Sequence, residues 1–133
     1  MSRSALYAAN TGQQAVAVNG MINFGNIIRR FGSNTTMSGG SPVLSGAGYY
    51  SIDANITFSD TAAGTATIQL YANGAPIPGA LAQVTTGTAN AVHSISIAAM
   101  VRNTCGCIEN VITAIVTGVA IDVTNASVEV EKI

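Results

Sequence analysis

Charged side chains are scarce here: Asp, Glu, Lys and Arg make up 8% of the 133 residues, where about 25% is usual for a globular domain. Five Lys and Arg against six Asp and Glu leave a formal charge of -1. Arg29-Arg30 is the one adjacent pair of cations, and no basic or acidic block occurs. A phosphate-binding surface works by clustered cations that release counterions, so nucleic acid is excluded as a partner. Tryptophan is absent, and three Phe and four Tyr leave little aromatic surface on which a sugar ring could stack. Long apolar runs are missing too. The most apolar stretch, Val111 to Ile121, is interrupted by Thr113, Thr117 and Gly118, and it falls far short of the roughly 20 residues that a spanning helix needs. No membrane insertion is expected. At the amino terminus Met1-Ser2-Arg3-Ser4 runs into a mixed segment with Tyr7 and Asn10, which does not read as a signal peptide. No segment combines helical spacing with good caps.

What the chain does have is 48% hydrophobic residues, 14 glycines and a polar cover of Thr, Ser, Asn and Gln in place of ions. A sparsely charged surface with positive mean hydropathy favours association, so the composition points to an obligate oligomer. The length suits one domain, residues 1–133, with no room for a second core.

Period-2 alternation runs through most of the chain. Tyr50, Ile52, Ala54, Ile56 and Phe58 share one face of a strand from Tyr49 to Ser59; Ala66, Ile68, Leu70 and Ala72 share one face from Thr65 to Asn73. Asn73-Gly74 is a turn, which Pro76, Pro78 and Gly79 extend into a loop before a strand from Ala80 to about Gly87. Ile95, Ile97, Ala99 and Val101 line a strand that His93 begins, Asn103 to Gly106 turn the chain, and Ala126 to Ile133 close it. Val111 to Thr117 differs, being apolar on both faces: one is expected to meet the core and the other a partner subunit. Before residue 45 the signals are weaker. Ala15–Val18, Met21–Phe24 and Ile27–Phe31 read as short strands, and Gly32 to Gly40 as a polar loop. About ten short strands with turn signals every 8–12 residues or so make an all-β, two-sheet antiparallel sandwich of jelly-roll type.

Candidate chemistry is sparse. His93, the single histidine, lies on an apolar strand face with no Asp or Glu evidently paired to it, and no Gly-x-Ser-x-Gly elbow occurs. It reads as a partly buried rim histidine. The carboxylates Asp53, Asp60, Glu109, Asp122, Glu129 and Glu131 show no acid/base spacing; Glu129 and Glu131 share the outer face of a strand, solvated or bridging a cation between subunits. Cys105 and Cys107 cannot complete a tetrahedral zinc site alone, and are read as loop thiols, or as a metal or disulfide link between subunits. No enzyme, metal or cofactor is expected from this inventory. Arg29, Arg30 and Arg102 are the candidate surface-binding residues, for an anionic glycan or a capsid surface, or for pairing with Glu109 or Asp122 at a subunit boundary.

The strand opening Gly48-Tyr49-Tyr50-Ser51-Ile52 resembles the jelly-roll heads of the complement first-component and tumour-necrosis-factor superfamily. The ending from Gly118 to Val130 resembles the last hairpin of its bacterial and phage members, in which an Asn-Ala-Ser-type turn precedes the closing strand. With Ile28-Arg29-Arg30-Phe31-Gly32 and Pro76-Ile77-Pro78-Gly79, the chain is similar to small proteins encoded in prophages of Gram-positive bacteria. The resemblance implies a tumour-necrosis-factor-like homotrimer around a threefold axis, with Tyr50, Ile112, Ile115 and Val116 expected at the trimer interface. It also implies a non-enzymatic structural part of a phage virion, a decoration, head-fibre or tail-associated trimer. Such a part is assembled in the bacterial cytoplasm and contacts other virion proteins or a host-surface glycan or protein in adhesion. The alternative is a soluble or cell-surface trimeric module that binds carbohydrate or protein through loops such as Gly32–Gly40 and Asn73–Gly79. Scarce aromatics weigh against it.

Overall fold

The computed structural model describes residues 4–104 and 109–133. Cys105 and Cys107, with the turn expected there, lie outside the described residues. Among the described residues there are eleven strands: β1 (Ala5–Asn10), β2 (Gln14–Val16), β3 (Asn26–Phe31), β4 (Thr35–Ser38), β5 (Ser41–Leu44), β6 (Gly48–Asp60), β7 (Gly64–Ala72), β8 (Ala75–Thr86), β9 (Val92–Asn103), β10 (Asn110–Thr117) and β11 (Ile121–Lys132). They form two sheets, β3-β1-β11-β6-β9, with β2 also paired to β11, and β4-β5-β10-β7-β8; every pairing between strands is antiparallel. From β5 onward the chain crosses between sheets at every connection except the β7–β8 hairpin, which is the winding of a jelly roll. Among the described residues no helix is long and apolar enough to cross a membrane.

Alternation places the core. Ile52, Ile56 and Phe58 of β6 and Val128 and Val130 of β11 face Ile68 and Leu70 of β7 and Ile112 and Val116 of β10, all fully buried. The segment after β2 leaves the first sheet and lies against β10 of the second before returning to β3: the Ile22 amide donates to the Ala114 carbonyl and the Val116 amide to the Gly20 carbonyl. Ile22 and Phe24 thereby enter the core. This segment was expected as a strand, but only Met21 forms a bridge, to Ile115.

Three further expectations change. The polar loop over Gly32–Gly40 is largely a hairpin, because Gly39 and Gly40 both take positive φ (58° and 80°) and turn β4 tightly into β5. The loop expected at Pro76–Gly79 is absorbed into β8 as a bulge opposite Gln69 and Tyr71, where an imino acid costs no ladder bond. The Gln69 side-chain amide holds it, donating to the carbonyls of Leu70 (3.1 Å), Ile77 (2.8 Å) and Ala80 (3.1 Å). Asn125-Ala126-Ser127 is not a turn. It lies within β11, which runs unbroken past a bulge between Val123 and Asn125, and the chain turns earlier, between β10 and β11.

Candidate functional site: the outer face of the first sheet

Where apolar side chains fill one face of a strand, the intervening residues stand outward, and in the first sheet they form a mixed surface. Register places Arg29, Tyr7, Glu129, Asp53 and Ala98 in one row across β3, β1, β11, β6 and β9. The next row is Phe31, Ala5, Glu131, Ser51 and Met100. Tyr49 lies opposite Arg102, whose guanidinium stands 5.6 Å from the ring centroid in a cation–π contact. Large apolar side chains are left in water on this face: Val92 is 72% exposed, Met100 60% and Phe31 59%. A small hollow of about 150 Å³ opens beside Phe31, walled by Tyr7, Arg29, Phe31 and Glu129.

The carboxylates gather at the middle of this face. Asp53 and Glu129 are directly opposed across β6 and β11, and Glu131 follows two residues on. Like charges opposite one another on a sheet are unfavourable in a lone chain. Among the described residues no group of three or more His, Cys, Asp or Glu is placed to hold a metal ion.

One further polar contact lies inside the sandwich. Asp60 ends β6 with its carboxylate fully buried, and its Oδ2 is 3.8 Å from His93 Nε2, too long for a hydrogen bond. Neither carboxylate oxygen is hydrogen-bonded to a described group. The expectation that His93 has no acidic partner is therefore corrected: the two meet because Phe58, opposite His93, and Asp60 both point inward from β6. The rim position itself is as read, with His93 22% exposed.

Of the four residues expected at a trimer interface, three lie in the core of the single chain and one faces outward. Tyr50, Ile112 and Val116 are 0% exposed within a single chain and belong to the core between the sheets. Ile115 faces the other way, half-buried on the outer side of the second sheet beside Gln69. The Tyr50 hydroxyl donates to the Ser45 carbonyl (2.6 Å) and lies 2.9 Å from that of Gly46, so the side chain ties β6 to the end of β5, and burial raises its pKa above the ordinary tyrosine value. The three arginines are all exposed but divided: Arg29 and Arg30 lie on β3 and Arg102 on β9, at opposite edges of the sheet. Four strand spacings of about 4.8 Å separate those edges, roughly 19 Å, so they do not converge on one ligand. Sequence reasoning passed over Met100, Phe31 and Tyr7. The readable signal was a bulky apolar residue on the polar face of an alternating strand, as Met100 is among Ser94, Ser96 and Ala98.

No family model matches the chain, and no curated protein matches it in sequence. Solved structures do. The Eiger TNF from S. frugiperda superposes with a TM-score of 0.69 at 13% identity, covering 98% of this chain and 91% of that one. The globular domain of zebrafish complement 1qA protein gives 0.63 at 8% identity, with 95% and 94% covered. PRD1 vertex protein P5 gives 0.62 at 16% identity, with 98% and 96% covered. The chain thus has the two-sheet jelly-roll fold of tumour-necrosis-factor-like and complement-1q-like domains, over nearly its whole length.

Proposed function

We propose that the chain is a non-enzymatic structural subunit of a virion and assembles as a homotrimer. The observation that carries this reading is the outer face of the first sheet. Tyr, Met and Arg, the types enriched at subunit contacts, meet there with Phe31 and Val92, all of them exposed in the lone chain. The two edges of that face are complementary. β9 presents Met100 as a knob and Arg102 as a cation, while β1, β3 and β11 present the hollow beside Tyr7 and the carboxylate of Glu129, which Asp53 of β6 opposes. Contacts between unlike edges close into a ring when the rotation allows, and a cation from a neighbouring copy would relieve the Asp53–Glu129 opposition.

The virion role is supported by the match over almost its full length to a vertex protein, alongside the chain's sparse chemistry. His93 and Asp60 make no hydrogen bond to each other, and the Asp60 carboxylate is fully buried. Particles purified from the producing host test the role: immunogold labelling of the particle surface is expected, and a chain found only free in the medium overturns it. Light scattering tests the trimer, with three times the 13.4 kDa chain mass expected.

A further inference from the structure

A cleft of about 750 Å³ opens at the side of the sandwich, where β1 ends, β3 begins and β4 turns into β5. Asn10, Thr11, Asn23, Asn26, Ile27 and Met37 line it together with the bare backbone of Gly25, Gly39 and Gly40. We infer that this cleft is a binding site for a neutral, polyhydroxylated ligand, a hexose unit of a glycan. The site is distinct from the face assigned to subunit contact and goes beyond the structural role.

The lining selects the chemistry. No charged residue takes part, so an anion or cation would leave water without a counter-charge. An apolar ligand would bury amides and a hydroxyl unpaired, each at a desolvation cost. A sugar satisfies both constraints, since each hydroxyl donates and accepts, as does each side-chain amide. Ile27 and Met37 offer apolar surface for the C–H face of the ring, in place of the aromatic platform the chain lacks.

The walls are held in place by the chain's own polar groups. Gln14 clasps the Asn23 backbone twice, its Nε2 donating to the carbonyl (2.8 Å) and its Oε1 accepting from the amide (3.0 Å). Asn10 Nδ2 donates to the same carbonyl (3.1 Å) while Asn10 Oδ1 accepts from the Gly12 amide (2.9 Å). Asn23 Oδ1 accepts from the Gly25 amide (2.7 Å), and the Phe24 amide donates to the Gly40 carbonyl (2.9 Å). Loops on the rim of a sandwich are thereby fixed before any ligand arrives, which lowers the ordering cost of binding. The Thr11 hydroxyl and the Asn26 amide make no hydrogen bond to a described group and remain open to a ligand. Gly25 keeps a side chain out of the wall by necessity, since a Cβ there would lie 2.3 Å from the Ala9 carbonyl oxygen.

The test is titration of the ¹⁵N-labelled full chain with methyl α-glucopyranoside, methyl β-galactopyranoside and methyl N-acetyl-β-glucosaminide to about 50 mM, a range suited to millimolar dissociation constants. Saturable shifts of the Gly12, Gly25 and Gly40 amides by at least one glycoside are expected. Gly39→Asn tolerates the positive φ and adds a side chain where a Cβ meets nothing within 4 Å. It should weaken binding about tenfold or abolish it, and Asn26→Ala should weaken it about threefold. Should Gly39→Asn fail to fold, Thr11→Gln at an exposed lining position takes its place. The inference is overturned if none of the three glycosides shifts those amides saturably, or if the shifts persist undiminished in the variant that narrows the cleft. Assembly mass, read on the same samples, separates this outcome from failure of the trimer.

Discussion

The two sheets share one core and differ sharply in what they show to solvent. Among the described residues, every charged side chain except Glu109 belongs to the first sheet, whereas β4, β5, β7, β8 and β10 carry none. The second sheet meets water with Thr and Gln that bond across strands: Thr65 to Thr85 at 2.9 Å, and Gln83 Nε2 to Thr67 Oγ1 at 3.2 Å. Leu81 is the large apolar side chain that this face leaves exposed. The first sheet leaves aromatic rings, Met100 and opposed carboxylates exposed, and each is better off against a partner. In a chain with 8% charge, that segregation is what favours the first sheet as the proposed contact face.

The comparison can be broken or sharpened by substitution. The largest effects should fall equally on both sheets, because both supply the core. Phe58→Ala from the first and Leu70→Ala from the second should each cost about 3–5 kcal/mol by denaturant unfolding, as cavities in a close-packed interior do. A large asymmetry between them would mean that the sheets do not share one core. Next is Gln69→Leu, which strips two carbonyls of the β8 bulge and that of Leu70 on β7 of their donor; about 1–3 kcal/mol is expected, with chemical shift changes centred on residues 69–71 and 75–81.

Tyr50→Phe should cost about 1 kcal/mol through its lost hydrogen bond. The wild-type phenol also predicts a direction with pH. Its folded value is raised above the unfolded value of 10.0, so the unfolded chain loses its proton first and binds fewer protons in that window. Its stabilisation is complete below pH 10 and is lost as pH rises through the folded value, and thermal melts above pH 10 should fall less steeply for Tyr50→Phe. The smallest effect is Asp53→Asn, which removes the like-charge opposition to Glu129. Under conditions that keep the chain monomeric it should stabilise by roughly 0.2–1 kcal/mol, and a loss instead would mean that Asp53 already has a partner within the chain.

Much of this architecture was legible in alternation. The buried faces of β6, β7 and β9 were read correctly from spacing alone, because a half-buried strand writes its two faces into a period of two. Short strands escaped. Ser41-Pro42-Val43-Leu44 is buried at every position and carries a proline, so β5 shows no alternation, and β1 is too rich in Ala to declare its inner face. The interface failed for a related reason. Period-2 spacing separates faces without saying what each one meets, so Ile112 and Val116 were expected against a partner when the facing sheet already covers them. The Asp60–His93 approach was invisible because the two residues lie far apart in sequence and only the β6–β9 register brings them together.

The measurement that bears most directly on the account is the mass in solution of three proteins at micromolar concentration: wild type, Met100→Asp and Leu81→Asp. Met100 and Leu81 are exposed apolar residues of edge strands, one on the outer face of each sheet. A trimer for wild type and Leu81→Asp with a monomer for folded Met100→Asp is expected. A monomeric wild type, or a trimer that Leu81→Asp dissolves and Met100→Asp leaves intact, would contradict the assignment of the first sheet as the contact face.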